Sequence, residues 1–195
     1  MAAPERRAMA ATEEALAEAQ SRPSIAELWL ALGTVPDPEI PVVSVVELGI
    51  LRSVEWDVAE PSTLIVVVTP TYSGCPATEL IASSIREALA AAGVAQVRLE
   101  TQLSPAWTTD WIAPEARRKL REFGIAPPGG VRTLTATTAI DVTGISPLRS
   151  SGVAVDCPRC GSLRTRLLSQ FGSTACKAQY RCLDCLEPFD YFKPH

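Results

Sequence analysis

Four of the six cysteines form two C-x-x-C pairs near the C-terminus. Cys157 and Cys160 lie in CPRCG, and Cys182 and Cys185 lie in CLDCL, with 21 residues between the inner members. Each pair can fold into a tight knuckle whose thiolates point at one ion, and two knuckles complete a tetrahedral four-cysteine shell. The spacer is slightly longer than the usual ~15–20 residues but ample for a β-hairpin. LRTRLLSQ and CLEPFDYF supply strand-like residues around it. Residues 157–195 are only 39 in number, too few to bury a sufficient core. Bound Zn2+ would then supply much of the folding free energy, ~10–16 kcal/mol in small zinc peptides. A filled four-cysteine shell leaves no open position, so this ion is structural rather than catalytic. A rubredoxin-like iron site uses the same four thiolates and stays open as the rival.

The remaining two cysteines stand apart from this pattern. Cys176 sits in FGSTACKAQY, among small polar residues that read as a loop tip beside Lys177, which would favour a thiolate. An incidental buried cysteine is the alternative. Cys75 sits in TPTYSGCPATEL, after an apolar run and before a helical pattern. The spacing predicts that it is the N-cap of a helix whose first residue is Pro76. Unpaired amides and the helix dipole there lower a thiol's pKa. Gly74 would leave room for a partner to approach. Such a thiol suits a nucleophile or a soft-metal ligand, against the alternative of a small buried filler. The sole histidine is the terminal His195, which argues against a Cys–His protease, and no second cysteine near Cys75 supports thioredoxin chemistry. VPDPEIP adds Asp37 and Glu39 in a Pro-rich loop, where acids commonly cap turns.

An α/β framework is predicted to position these groups. SIAELWLALGTV reads as an amphipathic helix from an N-cap at Ser24 to Gly33. GILRSVEWDV alternates, with Ile50, Val54, Trp56 and Val58 on one face and Arg52 breaching it. TLIVVVT reads as a central strand covered on both faces. The long helix after Cys75, closed near Gly93, and the strand VAQVRLETQL then imply a parallel, right-handed crossover. α/β sheets of this kind place ligand sites at the carboxyl ends of their strands, where Cys75 falls. APEARRKLREFG reads as a further helix, with Pro114 near its start and Gly124 at its end.

The expected architecture is a flexible tail over 1–23, a small two- or three-layered α/β domain with a mixed sheet over 24–126, a linker over 127–156 and a small zinc ribbon over 157–195. Net charge is −4, split between an acidic body and a ribbon carrying six Lys/Arg against three Asp/Glu. No dense basic patch points to nucleic acid. No apolar run approaches a membrane span and no signal peptide is legible, so a cytoplasmic protein is expected. Thiols there stay reduced, which favours metal chemistry over disulfides.

DPEIPVVSVVELGIL at 37–51 and TPTYSGCPATELI resemble the small iron–sulfur assembly domain found in SufT and in eukaryotic cytosolic iron–sulfur targeting factors. SPAWTTDWIAPEARRKLREFGIAPP at 104–128 and CPRCGSLRTRLLSQFGSTACKAQYRCLDCLEPFDYFK at 157–193 resemble the PaaD family. That family is the accessory component of bacterial phenylacetyl-CoA epoxidase systems in aerobic phenylacetate degradation. The resemblance implies a maturation factor without catalysis of its own, helping iron or an iron–sulfur cluster enter the diiron oxygenase subunit or the flavin/2Fe–2S reductase. It places the reactive cysteine on Cys75, further acids on Asp37, Glu39 and Glu47, and the surplus ribbon thiol on Cys176. A purely structural partner of the epoxidase is the alternative, and homodimerisation is left open.

Overall fold

The computed structural model describes residues 22–72, 74–129 and 155–194. The tail over 1–21, most of the linker and His195 lie outside the described residues. The chain divides into two compact units, 1–107 and 108–195.

In the first unit, helix α1 (Ile25–Leu32) starts where the sequence places it. Ser24 accepts from the Glu27 amide while the Glu27 carboxylate accepts from the Ser24 amide, a complete capping box. Strands β1 (Leu51–Trp56), β2 (Thr63–Val68) and β3 (Gln96–Thr101) follow, with helix α2 (Thr78–Ala91) between the last two. The sheet order is β1-β2-β3; β1 runs antiparallel to β2 and β2 parallel to β3. The sheet is therefore mixed, and the β2–α2–β3 crossover matches the sequence reading. Leu64 and Val66 of the central strand are fully buried, as are Leu28 and Leu32 of α1 and Ile85 and Leu89 of α2.

The expected face of β1 needs correction. The register slips between Leu51 and Ser53, so Leu51 and Val54 are both buried while Arg52 is exposed. A β-bulge removes the breach that strict alternation implied. Val58 lies past the strand and is 97% exposed. Thr69, just after β2, is fully buried, and its hydroxyl has no partner among the described residues. An unsatisfied buried hydroxyl costs ~1–3 kcal/mol. Thr69→Val is therefore expected to stabilise this unit by about 1 kcal/mol in urea denaturation. A lower midpoint would show that the hydroxyl is satisfied after all.

The second unit contains a short 3-10 turn (Thr109–Trp111), helix α3 (Pro114–Phe123) and strands β4 (Ile125–Ala126), β5 (Thr165–Ser169), β6 (Lys177–Cys182) and β7 (Pro188–Phe192). Pro114 opens α3 and Gly124 closes it in the left-handed region (φ 93°), as its sequence predicts. The sheet order is β4-β7-β6-β5, with β4 parallel to β7 and the other pairs antiparallel. Ala126 shares a core with Val155, Tyr180, Phe189 and Tyr191, the Tyr180 and Tyr191 rings meeting edge to face at 5.6 Å. The boundary expected at residue 126 is thus displaced: α3 and β4 belong with the ribbon sheet. A two-residue strand has no periodicity to read, and only its pairing with β7 reveals it.

Candidate functional site

The ribbon cysteines converge as their spacing predicts. The Sγ atoms of Cys157, Cys160, Cys182 and Cys185 all lie within 4.8 Å of one another. Cys157–Cys185 is 3.7 Å and Cys160–Cys182 is 3.6 Å. Zn–S bonds of ~2.3 Å place tetrahedral sulfurs about 3.8 Å apart, so the cluster fits a structural zinc. One member of each knuckle, Cys157 and Cys182, is fully buried in the sheet core, and the other is exposed.

Local backbone holds each knuckle. The amides of Asp184 and Cys185 donate to Cys182 Sγ at 3.4 and 3.5 Å. The Cys185 amide is the main cause, with that of Asp184 assisting, of a Cys182 thiol lowered to about 6. The amide of Glu187 pulls Cys185 down, but desolvation and the neighbouring sulfurs outweigh it and push this thiol up to about 12. Metal binding must displace that proton, so metal affinity falls as pH falls. Asp184 ties the knuckles together by accepting from Arg164 at 2.7 Å and from the Ser162 hydroxyl.

The residue after each knuckle turns left-handed: Gly161 at φ 74° and Leu186 at φ 65°. Glycine takes this conformation without strain, whereas it costs a leucine ~1–2 kcal/mol. Leu186 is 59% exposed, so little packing is lost when it is replaced. Leu186→Gly is expected to raise the thermal stability of the zinc-loaded ribbon by roughly 0.5–1 kcal/mol, part of the relief being offset by glycine's unfolded-state entropy. A lower melting temperature would mean that the leucine's contacts outweigh its strain.

Cys75 has different surroundings from those expected. Helix α2 begins at Thr78 behind an Ala77 cap, so Cys75 is not the N-cap and Pro76 is not the first helical residue. The Cys75 amide donates to the Tyr72 carbonyl at 3.2 Å. Its carbonyl accepts from the Thr78 amide at 3.3 Å and the Thr78 hydroxyl at 2.9 Å. That turn delays the start of the helix by two residues. The space beside Gly74 is also taken, because an added Cβ there would meet the Tyr72 ring at 3.3 Å.

What the structure provides instead is a cavity. Cys75 is half-buried and lines a cavity of about 220 Å3 together with Asp37, Thr71, Glu79, Arg86 and Thr101. Val68 and Thr101, the last residues of the parallel strands β2 and β3, form part of the wall. The carboxyl-end placement read from the sequence is realised.

The acids divide. Asp37 is buried and faces this cavity, while its Oδ1 accepts from the amides of Glu39 and Ile40, both at 2.9 Å. Glu39 is exposed and does not line the cavity. Glu47 closes a capping box with Ser44, its carboxylate accepting from the Ser44 amide at 2.9 Å while Ser44 Oγ accepts from the Glu47 amide at 3.1 Å. The S-x-x-E spacing of SVVE signals that box, as it does for Ser24 and Glu27. Sequence reasoning missed Thr71 and Glu79. Thr71 follows β2 and Glu79 is an exposed residue in the first turn of α2, and no local pattern marks either as a cavity residue.

Cys176 is no exposed loop tip. It is 8% exposed, its Sγ lies 3.1 Å from the Thr174 hydroxyl, and its carbonyl accepts from the Lys193 amide. Lys177 beside it is buried, 3.6 Å from Asp190. Cys176 precedes β6 while Cys182 ends it, which separates Cys176 from the four-cysteine cluster by ~20 Å of strand. None of the six cysteines is in a disulfide. No helix among the described residues is long and apolar enough to cross a membrane.

Two family models match the chain. Residues 25–99 match one described as iron–sulfur cluster assembly protein, and residues 145–193 match the PaaD zinc beta ribbon domain. A relative in Escherichia coli (strain K12), named as a subunit of 1,2-phenylacetyl-CoA epoxidase, is 47% identical over 176 residues, covering 88% of this chain and 93% of the relative. A crystal structure of a domain of unknown function, DUF59, from Bacillus anthracis is 26% identical, covers 49% of this chain and 90% of its own, and gives a TM-score of 0.45. A conserved hypothetical protein from Thermotoga maritima is 30% identical, covers 51% and 95%, and gives a TM-score of 0.43.

Proposed function

We propose, from the premise that the chain belongs to the PaaD family of phenylacetyl-CoA epoxidase subunits, that it is an accessory protein which helps to mature that epoxidase system. Its cargo is iron or an iron–sulfur cluster, and its recipient is the diiron oxygenase subunit or the flavin/2Fe–2S reductase. The protein itself turns over no substrate, and it works in the cytoplasm. The observation that carries this reading is the pairing of Cys75 with Asp37 in one cavity at the carboxyl ends of two parallel strands. One thiol cannot complete a coordination shell, and a weakly held cargo is one that can be passed on. The iron–sulfur assembly match over the same unit supports the same role.

The zinc ribbon serves as the docking module, its ion held in a closed shell of four cysteines. Leu163, Leu183 and Leu186 stand 44–59% exposed around the knuckles, a surface that a client can cover. Cys176 is a second thiol in this scheme, reached by cargo when its loop opens. The test is co-expression of wild type and Cys75→Ala with the epoxidase subunits, followed by assays of iron, labile sulfide and phenylacetyl-CoA-dependent NADPH oxidation. Full metal content and activity with the alanine variant would overturn the carrier role and leave a structural partner.

A further inference from the structure

We propose that the outward face of the ribbon sheet, centred on Arg166 and Arg181, docks an acidic, leucine-bearing segment of a partner protein and grips it by its carboxylates. The proposal rests on the reading of the ribbon as the docking module and names the chemistry that it recognises. The register between β5 and β6 sets Arg166 directly opposite Arg181, and both are exposed. The next pair along, Leu167 and Tyr180, turns the other way and packs in the ribbon core. Like charges directly opposite each other on two strands disfavour the pairing of those strands. An anion laid between the two arginines removes that repulsion. A carboxylate suits the position, because a guanidinium fork matches it with two parallel hydrogen bonds.

The ribbon's own acids do not supply that anion. The acids of residues 155–194 are Asp156, Asp184, Glu187 and Asp190, and each faces another cation. Their partners are Arg121 at 3.8 Å, Arg164 at 2.7 Å, Arg159 at 3.8 Å and Lys177 at 3.6 Å, in that order. Arg166 has no hydrogen bond or ion pair among the described residues. Arg181 has one hydrogen bond among them, from its Nε to the Leu186 carbonyl at 3.2 Å, and no acid. Apolar groups flank the pair. Leu186 is 59% exposed, Leu168 lies exposed two residues beyond Arg166, and exposed Pro188 stands opposite Arg181 on β7. Cations set among exposed leucines fit a peptide that carries both carboxylates and apolar side chains, and arginine is among the residues that dominate protein interfaces. Nucleic acid fits this face poorly. Binding DNA calls for ~6–10 phosphate contacts, whereas this face offers one pair of arginines on a chain of net charge −4.

Two probes are titrated into full-length, zinc-loaded protein: the purified oxygenase and reductase subunits of the epoxidase, and a fluorescein-labelled peptide of glutamate and leucine residues. One subunit and the peptide are expected to bind, more weakly as salt rises. Arg166→Gln and Arg181→Gln should each weaken binding about 10-fold. Arg118→Gln, the same change of charge on α3, should leave it unaltered. Arg166→Glu should abolish binding yet keep one zinc per chain and raise the ribbon's melting temperature, because it replaces a like-charge cross-strand pair by an opposite-charge one. Equal losses with Arg118→Gln would leave only net charge at work and overturn the surface. So would a wild type that binds neither probe, or zinc loss and a lower melting temperature in Arg166→Glu. Subunit binding that ignores Arg166→Gln and Arg181→Gln would keep the docking reading and overturn this face alone. Peptide binding with the expected pattern but no subunit bound would keep the face and overturn the epoxidase as client. A wild-type dimer dissociated by Arg166→Glu would give the face to a second copy. Binding seen only after removal of residues 1–21 would give it to the chain's own acidic segment at Glu13, Glu14 and Glu18. Either result would overturn the proposal.

Discussion

Cys182→Ser is expected to remove stoichiometric zinc and unfold the ribbon sheet while the α/β unit stays folded. Cys182 is both a cluster member and the last residue of β6, fully buried in a core with Tyr180 and Phe189. Its loss removes a ligand and leaves three sulfurs without a tetrahedral partner. An apparent zinc contribution of ~10–16 kcal/mol matches or exceeds the ~5–15 kcal/mol stability of a whole domain, so the sheet does not survive. Because β4 pairs with β7, the disruption should reach back to Ile125–Ala126, well before the first ribbon cysteine. Metal analysis and near-ultraviolet circular dichroism check this. The tyrosine signal of Tyr180 and Tyr191 should vanish, while the tryptophan signal of Trp29, Trp56 and Trp107 in the first unit persists. Stoichiometric metal in the Cys157/Cys160/Cys182/Cys185 quadruple serine variant would place the ion elsewhere, and a ferric–thiolate spectrum in the wild type would replace zinc by iron.

Cys75→Ala should fold like wild type and still leave the epoxidase system several-fold poorer in iron or labile sulfide. The hydrogen bonds that Cys75 makes run through its amide and carbonyl, to Tyr72 and Thr78, and alanine keeps them. Substitutions of this kind shift stability by about 0.5 kcal/mol or little more, so an unchanged urea midpoint is expected. Cys176→Ala is the matched comparison. It should keep one zinc per chain because Cys176 lies at the opposite end of β6 from the cluster. A fall in client metal with Cys176→Ala as well would give both thiols a part in transfer. Wild-type maturation with it would make Cys176 a core residue, as its burial against Thr174 allows.

Much of the architecture was legible because short-range physics decides it. The capping box at Ser24, Pro114 and Gly124 at the ends of α3, and the unbroken apolar run of β2 each specify their element through neighbours within four residues. The metal cluster was legible for a related reason: two C-x-x-C knuckles are local objects, and the chemistry of one ion brings them together. The sequence also placed Cys75 at a strand's carboxyl end, since a strand–helix–strand order admits one handedness.

Tertiary structure decided the rest, wherever long-range pairing or a single hydrogen bond tips the balance. The bulge in β1 is set by its register with β2, so strict alternation put Val58 on a face it never joins. The short β4 exists only through β7, which moved α3 into the second unit. The start of α2 was decided by the turn that Thr78 closes on the Cys75 carbonyl, an interaction that helix propensity does not encode. Of three acids with equal standing in the sequence, the fold used Glu47 in a cap, left Glu39 in solvent and turned only Asp37 toward the cavity that Cys75 lines. Which carboxylate shares a cavity with a thiol depends on where a loop closes over a sheet, and that closure is a property of the packed chain.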